Sequence, residues 1–152
     1  MKRERVAFVA ALGLLVSLFL GLRPAWAAET EGKPFADKHV VLQISDPDPF
    51  KQTLVLNVAN NLLKAYGPDA IDLEIVAFGP GLRLLMADNT NLPRIDGLAA
   101  QGVRFSACGN TIQSFTKSLG RAPVLNKHAV TVSAGVVRIL DLEAQGYSLI
   151  KP

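Results

Sequence analysis

Five short apolar runs, separated by helical periods and Gly/Pro breaks, constrain this chain more than any other feature. They are "HVVLQI" (39–44), "IDLEIVAF" (71–78), "VRFSAC" (103–108), "HAVTV" (128–132) and "YSLIK" (147–151). Short, nearly continuous apolar runs fit strands buried on both faces. Between them the period changes. Phe50, Leu54, Val58 and Leu62 recur every fourth residue, and Val55, Ala59 and Leu63 thicken the stripe. This predicts an amphipathic helix ending near Tyr66. Asp48 is its expected N-cap, Pro49 its first residue, and Gly67 and Pro68 its stop. Further helices are expected at 82–87, at 94–102 with Gly102 as cap, and at 111–119 before Gly120. A last one is expected at 134–145, capped by Ser133 and burying Val136, Ile139 and Leu140. Strands alternating with helices predict a single α/β domain with a mainly parallel five-stranded sheet. Right-handed crossovers then put helices on both faces.

The first residues read differently. Lys2, Arg3 and Arg5 precede an apolar run, 6–22, broken only by Gly13, Ser17 and Gly21. Ala25-Trp26-Ala27 follows as a small-residue cleavage signature. Residues 1–27 therefore read as a secretory signal peptide, which implies a periplasmic location. An uncleaved anchor is the competing reading, since the run is near the lower limit of a spanning helix. The cleavage site favours the signal. No adjacent arginine pair supports a twin-arginine signal. Residues 28–37, "AETEGKPFAD", are polar and aperiodic and read as a flexible leader. The α/β domain is then 38–152.

Cleavage changes the charge. The chain has 16 Lys+Arg and 13 Asp+Glu, a net of +3. Losing Lys2, Arg3, Arg5, Arg23 and Glu4 leaves 12 of each sign, a net near zero. No basic cluster remains for a phosphate backbone, so nucleic acid is not an expected partner. No later segment is long and apolar enough to span a membrane.

Cys108 is the single cysteine. It cannot form an internal disulfide, and an unpaired thiol in an exported chain is intermolecularly paired, reactive, or a small buried hydrophobe. Its position bears on the choice. In an open parallel sheet, ligands bind outside the carboxyl ends of the strands. "SDPD" (45–48), "GPG" (79–81) and "CGNT" (108–111) leave three strands at that edge. A thiol before a helix N-terminus gains from free N–H groups and the dipole. The candidate site is Cys108 as nucleophile. Gly109, Asn110, Thr111, Gly79, Gly81 and Asp46 are candidate substrate-binding residues. Plain structural roles compete: Asp46 and Asp48 as turn and cap residues, "GPG" as a tight turn. His39 and His128 lack spaced partners, so no metal site is expected. No nucleotide-binding glycine motif and no G-x-S-x-G occurs.

Taken in order, "HVVLQISDPDP", "NVANNLLKAYG", "LEIVAFGPGLRLL", "GVRFSACGNT" and "GVVRILDLEAQGYSLIKP" resemble the DsrE/DsrF-like family, over nearly all of the chain after the signal. The most specific pieces are "VAFGPGL", "FSACGNT" and "GYSLIKP". The resemblance implies a flavodoxin-like or Rossmann-like sheet and a homo-trimer or hexamer. It also implies sulfur chemistry, in which a cysteine carries a persulfide and passes sulfur to a partner, with no cofactor. Cys108 is the position that matches. The "CGNT" surroundings depart from the cysteine context of the cytoplasmic sulfur-relay members, and export separates this chain from their partners. The competing class is a non-catalytic oligomeric binding or assembly module with a buried cysteine.

One expectation is directly measurable. Trp26 is the only tryptophan and precedes the cleavage point. N-terminal sequencing of the exported product should begin at Ala28, and the product should lack tryptophan fluorescence. Recovery of the full-length chain from periplasm or membrane would contradict cleavage.

Overall fold

A computed structural model describes residues 32–152. The expected signal peptide and the first part of the expected leader lie outside the described residues. The strands are β1 (Lys38–Ile44), β2 (Ile71–Ala77), β3 (Arg104–Cys108), β4 (Ala129–Val132) and β5 (Ser148–Ile150). They form one sheet in the order β4-β3-β2-β1-β5, parallel throughout. The connections hold α1 (Pro49–Tyr66), a 3-10 helix (Gly79–Leu85), α2 (Leu92–Ala99), α3 (Gly109–Leu119) and α4 (Gly135–Ala144). The expected α/β class and parallel five-stranded sheet are therefore present.

The winding explains the layers. From β1 to β4 the chain steps one strand at a time in one direction. Right-handed crossovers place α1, the 3-10 helix, α2 and α3 on one face. That face is apolar: Leu42, Ile75, Leu85, Ile95 and Phe105 pack together, with Ile112 and Phe115 of α3 against them. The return from β4 to β5 runs the other way, so α4 alone covers the second face. There Ile139, Leu142 and Tyr147 meet Val41 and Val76.

Asp48 caps α1 as expected, its carboxylate accepting from Phe50 N at 2.9 Å, with Pro49 as first residue. The buried face of α1 keeps Val55, Ala59 and Leu63 of the expected stripe, with Val58 and Leu62 packed against the core, and departs from it at the start. Gln52, Val55, Leu56, Ala59 and Leu63 are buried, whereas Phe50 is 84% exposed and Leu54 is exposed. A stripe stepping strictly by four drifts roughly 40° per step at 3.6 residues per turn. Its start therefore winds out of the contact line. In α4, Ile139 and Leu142 are buried, while Val136 and Leu140, both expected inside, face outward. Ser133 is not the cap of α4; Ala134 holds that position and offers no side-chain acceptor. "GPG" opens a 3-10 helix instead of forming an isolated turn.

The expected leader is anchored at its end. Lys33 N donates to Asp72 Oδ2 at 2.6 Å, the Lys33 ammonium reaches Pro68 O, and Ala36 is buried.

Polar chemistry fills the second face. Asp72 and Glu74 of β2 are both fully buried. Glu74 lies between two guanidiniums. Arg138 of α4 donates to both its oxygens at 2.8 Å, and Arg104 Nε donates at 3.1 Å. Ser106 Oγ adds a 2.6 Å bond. Asp72 accepts from Arg104 Nη1 at 3.0 Å and from Tyr147 Oη at 2.6 Å. Its Oδ1 lies 2.7 Å from Arg104 Nη1 as an ion contact whose angle does not suit a hydrogen bond. Two carboxylates and two guanidiniums balance in charge. Register makes this possible, since Glu74 is paired with Arg104 in the ladder.

Burial pushes both carboxyls up, but their partners outweigh it. Tyr147, the Lys33 amide and Arg104 hold Asp72 below its ordinary 3.8, and Arg138 and Ser106 hold Glu74 below 4.5. A depressed carboxyl stabilises the fold above its unfolded value. That contribution is lost as pH falls through the folded value. Glu74→Gln should cost about 3–5 kcal/mol at pH 7, because it leaves buried guanidinium charge uncompensated. Denaturant unfolding followed by circular dichroism should show the gap between wild type and variant closing below about pH 4. A gap independent of pH would refute the role of the charge.

Candidate functional site

Crossover direction changes between β3 and β4. The chain leaves β3 into α3 on the apolar face and leaves β4 into α4 on the second face. Adjacent strands whose connections diverge open a crevice at their carboxyl ends, where open α/β sheets bind ligands. Cys108 is the last residue of β3, paired in register with Val132, the last of β4. Its side chain shares the second face with Arg104 and Ser106, since alternate residues point the same way.

Two helices begin at this sulfur. Cys108 is the N-cap residue of α3, so the N–H groups of Asn110 and Thr111 point back toward it. No bond of ordinary cap geometry closes there, and the N–H groups act on the sulfur as oriented dipoles. Gly135 starts α4, whose cap residue Ala134 makes no side-chain bond. The first N–H of α4 is thus unclaimed by a cap. A Cβ on Gly135 would stand 3.0 Å from Phe78 Cβ and 3.3 Å from Cys108 Cβ. Glycine is what allows the helix to start this close.

Cys108 is buried, 5% exposed as a residue. Burial pushes the thiol up. The Thr111 hydroxyl, and after it the N–H groups of Gly135, Thr111 and Asn110, pull it down by more, and the thiol sits below its ordinary 9.0. Phe105, Ile112 and Phe115, which would form an apolar cage if they enclosed the sulfur, belong to the opposite face.

The three expected loops do meet. Gly79 N donates to Thr111 Oγ1 at 2.8 Å, joining "GPG" to "CGNT". That bond uses a Thr111 lone pair and leaves the hydroxyl proton for the sulfur. Gly81 abuts the end of β1, where a Cβ would lie 2.4 Å from Ile44 O. Close backbone approach explains Gly81 without a ligand. Asp46 accepts from Asp48 N at 2.9 Å and closes the turn before α1. Both aspartates of "SDPD" thus hold local structure. Gly109 is the half-buried first residue of α3, and Asn110 is exposed. Among the described residues no group of three or more His, Cys, Asp or Glu is placed to hold a metal. None of their helices is long and apolar enough to cross a membrane.

Sequence reasoning missed Gly135 and the network of Asp72, Glu74, Arg104, Arg138 and Tyr147. A signal was present: acidic residues two apart in "IDLEIVA", facing "RFS" in the next strand. A cleft of about 460 Å3 lies elsewhere, between the 3-10 helix and the end of α3, and Cys108 is not in its wall.

No family model matches the chain, and no curated protein matches it. Among solved structures, a protein of unknown function from Methanobacterium thermoautotrophicum is similar, with a TM-score of 0.68 and 29% identity. The match covers 76% of this chain and 100% of that one. The α/β architecture is shared with that protein.

The anion environment yields a test. Thr111→Val removes the largest favourable influence on the sulfur. Alkylation of the native protein at neutral pH should slow by about tenfold, the equivalent of one charge-assisted hydrogen bond. Its pH profile should move upward, and Thr111→Ser should restore both. Identical profiles for the valine variant and the wild type would rule the hydroxyl out.

Proposed function

We propose that this protein is a periplasmic, DsrE-like sulfur carrier that holds reduced sulfur as a persulfide on Cys108. One arrangement carries the reading: Cys108 is the cap residue of α3 and lies against Gly135, the first residue of α4, so two helix starts meet beside one sulfur. The N–H groups of two helix starts, with the Thr111 hydroxyl beside them, favour an anion there, and both thiolate and persulfide are anions at neutral pH. The step needs no cofactor. The Cys108 thiolate attacks the sulfane sulfur of a polysulfide or thiosulfate. A sulfur–sulfur bond forms at Cys108 while the donor's sulfur–sulfur bond breaks. The electron pair leaves on the shortened polysulfide or on sulfite. Attack by an acceptor thiolate on the outer sulfur transfers it onward and regenerates the thiolate.

Export and assembly belong to the same proposal. The signal-like residues 1–27 support a periplasmic location. The outward apolar residues Val136 and Leu140 of α4 and Phe50 and Leu54 of α1 support a homo-oligomer, a trimer or hexamer. A sulfur donor or acceptor protein is the further partner.

A second reading is favoured by the burial of Cys108, 5% exposed. In it, the protein is a non-catalytic oligomeric binding or assembly module and the cysteine is structural. Native mass spectrometry separates the two and reads the oligomer directly. After exposure to polysulfide or thiosulfate, the sulfur-carrier reading expects added mass in whole sulfur atoms, lost with a thiol reductant and absent in Cys108→Ser. A wild-type mass that never changes, while denatured protein reacts, would leave the module reading standing.

A further inference from the structure

Five arginines fall among the described residues, and their partners divide them. Arg104 and Arg138 bind Glu74, and Arg94 donates to Asn57. The side chains of Arg83 and Arg121 make no hydrogen bond or ion pair with any described residue, and both line the cleft of about 460 Å3. Met86, Phe115, Leu119 and Val124 supply much of its apolar wall. Leu119 and Val124 are 59% and 66% exposed, so the wall faces solvent.

The cleft is built in advance of any ligand. Its two sides come from the segment after the 3-10 helix and from the connection between α3 and β4. They are tied together by Ala87 N donating to Val124 O at 2.9 Å and Asn126 N donating to Leu85 O at 2.9 Å. The buried Asn126 amide adds a 3.2 Å bond to the same carbonyl, and Met86 and Leu125 form an antiparallel bridge. Gly120, in the left-handed conformation, turns the chain from α3 into this wall.

We propose that this cleft binds a small organic monoanion: a carboxylate or sulfonate on an alkyl or aryl body. Its volume lies in the range of small-molecule sites, about 300–1,000 Å3. The apolar wall takes the body. The guanidinium forks match a planar or tetrahedral oxyanion. Asp88 is the one carboxylate in the lining and offsets one of the two positive charges. A single negative charge on the ligand therefore completes the balance. Bare phosphate leaves the apolar wall wet, and an uncharged ligand leaves the arginines without a counter-charge. This site is separate from the sulfur and does not depend on the sulfur-carrier reading.

Calorimetric titration with octanoate, octanamide and inorganic phosphate tests it. Octanoate should bind about tenfold more tightly than octanamide, a modest factor because both guanidiniums are solvent-exposed. Phosphate should give no saturable heat. The double variant Arg83→Gln, Arg121→Gln should lose the preference for octanoate over octanamide while keeping its thermal midpoint. Asp88→Asn should tighten octanoate and leave octanamide unchanged. Failure of octanoate to bind, equal affinity for acid and amide, an undiminished preference in the arginine variant, or phosphate binding as tightly as octanoate would each overturn the proposal.

Discussion

Glu74 is fully buried in the middle of the sheet, and the second face of this protein is organised around its charge. Removing a carboxylate from water is costly unless its partners and geometry are nearly complete. Here both oxygens are taken by Arg138, and Arg104 and Ser106 fill the remaining directions. The return on that cost is directional. Apolar contacts specify an area, whereas a two-pronged guanidinium bond specifies an angle. Arg138 belongs to α4, so the bond sets how α4 lies on the sheet. That in turn sets where the first N–H of α4 points.

The sulfur inherits its environment from this chain of constraints. Cys108 is two residues beyond Ser106 on the same strand face, and Gly135 is three residues before Arg138 on the helix. Burial alone would hold the thiol neutral. Thr111, Asn110 and Gly135 reverse that balance because they belong to rigid elements and need no reorganisation to face the atom. A solvent-exposed thiol at one helix end would have gained only a weak dipole effect, about 0.3–1 kcal/mol. Dehydration makes each of the four donors count for more. The same burial limits access, so reactivity here depends on local opening as much as on charge.

The two faces are built on different physics. On the first, three helices and a 3-10 turn shed water from a continuous aliphatic layer. On the second, one helix of 10 residues covers a layer whose centre is ionic. Coverage there is incomplete, and α4 keeps Val136, Val137 and Leu140 outward. The cleft between α3 and the 3-10 helix is a separate feature of the first face.

The amino-acid pattern by itself determined the class, the order of elements and most of their ends. Asp48 and Pro49 start α1 and Gly120 ends α3, because caps and left-handed glycines act over a few residues. It also located Cys108 at the carboxyl edge of the sheet, since strand order along the chain is a local property. Tertiary structure decided the rest. Which side of α1 is buried depends on where the sheet lies, and a stripe of four-residue steps leaves that rotation open. Acidic residues two apart in a strand suggest a wet face. Asp72 and Glu74 are dry because Arg104 and Arg138 arrive from 32 and 64 residues away. Gly135 lies against a cysteine 27 positions earlier for the same reason. Pairings at that separation leave no trace in local periodicity, because the crossover that creates them is chosen by packing of the whole chain.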